Sequence, residues 1–229
     1  MLTGFRIRYR IGPGSQNGNP GYTALVAKGM RPEMMRLTLP VDNFLKLENR
    51  HTGETLRMRR VRDSGGQTVL VIDGSLPPRA SGPPLHVHFH LREEGTVKTG
   101  SLGAQIGNEK IVVPAGGTGV FPAGVVHNWW NAGDDLLELK GRAIPAGDLD
   151  RYLQALFAVL NASPTGKPSL FYIAHVLWRH RQTQAVMVPP LAIQRIVFPL
   201  VLLLGHILGK YRGDNWPGSP ASCTGAPEV

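Results

Sequence analysis

Residues 85–95 read Leu-His-Val-His-Phe-His-Leu-Arg-Glu-Glu-Gly, and the fold is decided by how that stretch is read. From Leu85 to His90 every second side chain is a histidine. That is the period of a β-strand, so His86, His88 and His90 share one face. The flanks continue the theme. Residues 67–73 form another strand-like run, and after the histidines come 101–106, a turn at Gly107-Asn108, 109–113, 118–121, 125–130 and 135–144. Gly, Pro, Asn and Asp punctuate these runs, and no helix-period segment interrupts them. The spacing predicts a mainly β domain, a sandwich or barrel, over residues 37–147.

Beyond Pro145 the pattern changes to helical. Asp148 stands where it can cap a helix whose apolar positions Leu149, Tyr152, Leu153, Leu156, Phe157 and Leu160 recur at three- and four-residue spacing. Ser169 can cap a second helix to about His180, and a third runs from about Pro190 to Tyr211. Residues 148–212 therefore read as a helical extension. Residues 1–36 and 213–229, rich in turn formers without apolar period, read as disordered tails. Met30, Met34 and Met35 stand just before the first strand-like pattern and suit an alternative start. No apolar run follows Arg6, Arg8 and Arg10, so a secretory signal is not expected and a cytoplasmic location is.

The 229 residues carry a net charge of +9, with 42% hydrophobic and 18% charged residues, which excludes a wholly disordered chain. The single cysteine, Cys223, excludes an internal disulfide framework and a thiolate zinc cluster. The basic excess lies at the ends. Residues 1–36 hold six Lys/Arg against one acid, residues 37–150 twelve against thirteen, and residues 151–229 seven against two. A nucleic-acid partner is not expected from a near-neutral middle. The one basic run there, Arg57-Met-Arg-Arg-Val-Arg62, reads as the solvated face of a strand.

The chemistry concentrates between His86 and His127. Neutral imidazole is a good ligand for Fe, Mn, Ni, Zn or Cu, and two on one strand can grip one ion. Glu93 follows closely enough to add a carboxylate if the chain bends, and His127 can close the site from a distant strand. Three imidazoles and one carboxylate leave open positions on an octahedral ion for a substrate or O₂.

These residues fall into two motifs. His86-x-His88-x₄-Glu93-x₆-Gly100 resembles the first motif of the cupin superfamily, and Gly116-x₅-Pro122-x-Gly124-x₂-His127-x₃-Asn131 resembles the second at every position. The fifteen residues between Gly100 and Gly116 match the short spacer of small single-domain bacterial cupins. The resemblance covers residues 37–147. It implies a jelly-roll β-barrel of six to eight strands with a divalent metal inside, held by His86, His88, Glu93 and His127. A second register, Gly82-x₅-His88-x-His90-x₃-Glu94, also fits the front of the first motif but lands on Ser101 instead of a closing glycine. The first is favoured because Val97 and Gly100 then occupy the family's apolar strand position and turn. His90 becomes a pocket histidine beside the ligands. Trp129 and Trp130, neighbours in a strand, face opposite ways: one, Trp129 being the candidate, lines the pocket or packs in the barrel, the other meets the helices, and core packing is the favoured reading of both. Gly95 departs from the family, whose single-domain members usually carry an aromatic after the glutamate.

The resemblance implies a metal-dependent enzyme of dioxygenase type acting on a small organic substrate, with Glu93 as ligand and proton acceptor. The competing expectation is a non-catalytic cupin that binds or senses a small ligand. Residues 191–208 approach the length of a membrane span. Three placements follow for this segment: packing against the barrel or a homodimer partner, lying on a membrane surface, or spanning.

Overall fold

The computed structural model describes residues 44–212 together with Pro217; the tail expected over 1–36, the start of the β domain expected over 37–43 and, Pro217 apart, the tail expected over 213–229 lie outside the described residues. Ten strands precede the helices: β1 (Leu45–Glu48), β2 (Thr55–Arg62), β3 (Thr68–Leu76), β4 (His86–His88), β5 (Arg92–Thr99), β6 (Ser101–Ile106), β7 (Glu109–Pro114), β8 (Thr118–Phe121), β9 (His127–Asn131) and β10 (Leu137–Ile144). Then follow α1 (Leu149–Ala162), α2 (Leu170–Arg179), β11 (Gln184–Val186) and α3 (Leu191–Ile207).

The strands form two antiparallel sheets. One has the order β1-β2-β3-β10-β5-β8 and the other β11-β4-β9-β6-β7. The non-consecutive neighbours are the crossovers of a jelly roll. Hydrogen bonding does not close the two sheets into one barrel, and the eleven strands described exceed the six to eight expected. Short turn chemistry sets the registers. Between β2 and β3 the Asp63 carboxylate accepts from the amides of Gly65 and Gln67, both at 2.9 Å, which fixes the hairpin. At Gly100 the chain turns from β5 into β6 with φ +76°, and a Cβ there would lie 2.8 Å from the Leu136 carbonyl oxygen. Only glycine meets both conditions.

Two apolar clusters fill the interior. Leu76, Val97, Leu102, Ala104, Phe121 and Leu137 pack between the sheets. Leu56, Met58, Leu70 and Ala143 instead pack against Leu149, Tyr152, Phe157 and Val176 of the first two helices. The extension thus covers the end of the larger sheet that the smaller one leaves bare. Polar latches hold it there. The Arg60 guanidinium donates to both oxygens of Asp150 at 2.7 and 2.6 Å, and the Asn161 amide donates to the Glu48 carbonyl at 2.7 Å.

Arg57 and Arg59 are exposed on β2 with their guanidinium carbons 4.1 and 5.2 Å from the Phe44 ring centre, whereas Arg60 reaches α1. The caps expected from sequence form differently. Neither Asp148 nor Ser169 makes a side-chain cap bond. Asp148 instead accepts from His180 Nδ1 at 2.5 Å, tying the start of α1 to the end of α2. The extension also holds a strand the helical pattern did not announce. β11 pairs antiparallel with β4, opposing Gln184 to His88 and Val186 to His86.

Candidate metal centre

β4 brings His86 and His88 inward from the smaller sheet. β9, its neighbour, pairs His127 directly with His86. Glu93 arrives from the other sheet. The strand ends at His88, residues 89 and 90 bend, and the chain enters β5, where Glu93 pairs with Ala143 on one side and Phe121 on the other. The carboxylate therefore faces the imidazoles across the interior rather than joining them along one bulged strand. One ligand atom from each of His86, His88, Glu93 and His127 lies within 4.8 Å of the others.

The hydrogen bonds orient the rings. His86 Nδ1 lies 2.9 Å from the Pro84 carbonyl oxygen and His127 Nδ1 2.8 Å from that of Val125. A carbonyl only accepts, so each Nδ1 carries a proton, and Nε2 is the ring atom left to face the cluster. Glu93 Oε2 is 3.4 Å from His127 Nε2 and 3.5 Å from His88 Nε2. His88 and His127 are 2% and 0% exposed, and Phe121 stacks obliquely on His127 at 4.9 Å.

Charge follows from this enclosure. Burial pushes the His86 imidazole down to about 4; Glu93 and the Pro84 carbonyl oppose the shift, and His127 and His88 reinforce it. Burial would raise Glu93, but the imidazoles of His88, His127 and His86 outweigh it and hold the carboxyl well below the usual carboxylate range. An anionic Glu93 is the carboxylate state a metal requires, and a metal would take the place of any Nε2 proton on the imidazoles. Ligand atoms at ~2.1 Å from a common ion lie at most ~4.2 Å apart, so small side-chain adjustments let this set close on one. The cluster could hold a metal ion.

The remaining candidates fall as follows. His90 is exposed in the bend after β4, outside the cluster. Three imidazoles on one face would need the strand to continue through residue 90, and it stops at 88. Glu94 points away from Glu93 and pairs with Arg142 at 3.3 Å, so the second register does not assemble a ligand set. Trp129 packs against the inter-sheet core and lines a cavity of about 80 Å³ together with Glu93, Gly95, Leu102 and Phe121. Trp130 faces the other way, over Gly103, where a Cβ would lie 2.3 Å from its ring. Asn131 is structural. Its amide donates to the carbonyls of Leu76, Pro77 and Asp135, and its oxygen accepts from the Gly133 amide.

Residues 64–139 match the family model described as the cupin domain. This stretch is a cupin domain. It contains all four clustered residues, and its match stops before α1. Among solved structures, the chain is similar to a predicted oxalate decarboxylase from Thermotoga maritima, at 19% identity over 44% of this chain and 90% of that one, with TM-score 0.35. The Cnp3 cupin domain of Schizosaccharomyces pombe is 13% identical over 43% of this chain and 70% of that one, with TM-score 0.34. KdgF from Halomonas sp. is 18% identical over 41% and 83%, with TM-score 0.34. No curated protein matches the chain.

Sequence reasoning passed over one polar residue next to the cupin site. Gln184 on β11 opposes His88. Bonds from Phe89 N to Thr183 O and from Met187 N to Leu85 O make this a non-hydrogen-bonded pair, the kind whose side chains lie closest. His88 Nδ1 and both amide atoms of Gln184 are buried without a hydrogen-bond partner. A buried Gln in a three-residue strand between helices carries no motif by which the sequence could announce it.

Proposed function

We propose that the cupin domain holds one divalent metal, of the class Fe, Mn, Ni or Zn, through Nε2 of His86, His88 and His127 and the Glu93 carboxylate. The observation that carries this reading is that the Pro84 and Val125 carbonyls engage Nδ1 of His86 and His127, leaving their Nε2 atoms to the cluster in which one ligand atom of each residue lies within 4.8 Å of the others. When bound, such a metal supplies Lewis acidity or a site for O₂ beside a small organic substrate. The chain's own residues do the rest. Phe121 and the burial of His88 and His127 shield one side of the cluster, while Glu93 and His86 stay partly exposed. Glu93 lines the adjoining cavity and, when detached from the metal, would be within reach to accept a proton there. Leu102, Phe121, Trp129 and Leu139 line the same cavity with apolar surface, and the paired Glu94 and Arg142 add polar groups, which suits a small organic ligand of a few heavy atoms. The activity inferred is a metal-dependent oxidoreductase of dioxygenase type.

Elemental analysis of the purified protein tests the first step. Near-stoichiometric metal that disappears in His127→Ala and His86→Ala is expected, and a metal-free wild type overturns the reading. O₂ consumption with small organic substrates tests the second. Retained metal without any O₂ consumption would instead make the domain a non-catalytic binding module.

A further inference from the structure

A feature the cupin site does not use is the outer face of α3. The inner face docks through Gln194, whose amide donates to the Val186 and Pro189 carbonyls at 2.7 and 2.6 Å, and through the buried Phe198. Gly205 lies under the Tyr211 ring, whose hydroxyl donates to the Phe171 carbonyl at 3.0 Å. On the opposite face Ile193, Ile196, Leu200, Leu203, Leu204 and Ile207 follow three- and four-residue spacing and stay in solvent, Ile196 at 68%, Leu200 at 62% and Ile207 at 71% exposure. Together with Val197 and Leu208 they expose on the order of 800 Å² of aliphatic surface, above the ~300–600 Å² of the largest patch on a typical monomer. The stripe is roughly 21 Å long at 1.5 Å per residue. No helix among the described residues is long and apolar enough to cross a membrane, so spanning is ruled out for this helix.

Charge selects the occupant. Residues 151–212 contain seven Lys/Arg and no Asp or Glu. Arg195 flanks the stripe and Lys210 and Arg212 follow its end, none with an ion-pair partner among the described residues. A second copy docked on this face would bring the cations of residues 151–212 to one another, a stretch that holds no acid. An anionic bilayer surface offers hydrocarbon to the aliphatics and headgroup charge to the flanking cations. We propose that α3 lies in the plane of an anionic membrane surface with its Ile196–Leu200–Leu203–Ile207 stripe in the acyl boundary. Co-sedimentation of the full chain with vesicles of phosphatidylcholine alone, or mixed with phosphatidylserine, tests this. Binding to the mixed vesicles that salt weakens is expected. Leu200→Glu, on the exposed face, should lower it more than tenfold, and Lys210→Gln about fivefold. Equal metal content and circular dichroism show that the variants fold. No vesicle binding by the wild type overturns the proposal, as does a dimer that Leu200→Glu dissociates in the absence of lipid.

A separate observation concerns Gln184. Two of the three clustered imidazoles have their Nδ1–H fixed by backbone; His88 does not, and the one side chain opposite it is an amide with both ends unsatisfied. We infer that the Gln184 oxygen accepts from His88 Nδ1–H and makes Gln184 the positioning residue of that ligand, an inference that rests on the metal reading above. Zn²⁺ affinity is expected to fall 10–100-fold in Gln184→Leu and to hold in Gln184→Glu, which keeps the acceptor. In metal-free protein the His88 Nδ1–H resonance should be slowly exchanging in the wild type and lost in Gln184→Leu. Unchanged affinity and resonance in Gln184→Leu overturn the inference while leaving the metal reading intact; a wild type blind to Zn²⁺ but with the resonance present sinks the metal reading alone.

Discussion

Acid should loosen the metal-free protein well before its ordinary carboxylates titrate, and His86 sets where. In the unfolded chain its imidazole protonates near the usual 6.5, whereas the folded site delays protonation to about 4. Between those values the unfolded state binds a proton the folded state refuses, so stability is full above pH ~6.5 and falls as pH drops toward 4. The gap corresponds to about 3 kcal/mol at 1.36 kcal/mol per pH unit, against a typical total of ~5–15 kcal/mol. Glu93 acts in the same direction lower down, because its depressed pKa contributes stability above the ordinary carboxylate range that is lost below it. Urea denaturation of chelator-treated protein at a series of pH values between 7 and 4 measures the loss. His86→Gln, neutral throughout, should flatten the slope in that window. A variant whose midpoints track those of the wild type would refute the assignment of the slope to His86.

Three further outcomes follow from the packing. Asn131→Ala strips four hydrogen bonds from a residue 1% exposed and should cost more than about 3 kcal/mol, read by thermal or urea melts. Asp148→Ala leaves the buried His180 without its partner, and a loss of about 1–3 kcal/mol is expected, with α1 and α2 amides exchanging hydrogen faster than the inter-sheet strands. A Cβ at Gly95 meets nothing within 4 Å, so Gly95→Val should enter the cavity beside Glu93 at no cost in melting temperature. Metal content should stay and turnover or small-ligand binding should fall; a variant that keeps both would show that the cavity is not the ligand's place.

Much of this was legible in the chain because the signals were local. The runs 101–106 and 118–121 form strands over those same residues, since period-2 alternation and turn residues act within a few positions. The His86, His88, Glu93 and His127 spacing was readable as a motif, although the way Glu93 crosses from one sheet to the other was not. That depends on the bend at residues 89–90 and on the pairing of β5 with β10 and β8. His90 shows the converse failure: alternation continues in the letters while the strand ends at His88. β11 was invisible because three residues give no period, and its pairing is decided by an edge nearly a hundred residues away. On α3 the letters showed an apolar helix, and only the fold divides it into a docked face and a bare one.

β11 has a consequence for how the protein comes into being. β4 touches β9 through one residue pair, His86 with His127, but touches β11 through three. The strand that presents two imidazoles is therefore held mostly by a segment synthesised after the whole cupin domain and two helices. A ribosome that has released residues up to Ile144 has released every ligand, yet β4 still has an unpaired edge, and closing it waits for Gln184–Val186 to emerge. Each further residue adds little entropic cost to that long closure, but it adds time. Metal capture on a nascent chain should accordingly lag the appearance of the ligands by about the forty residues that separate β10 from β11, at typical synthesis rates a delay of roughly seconds.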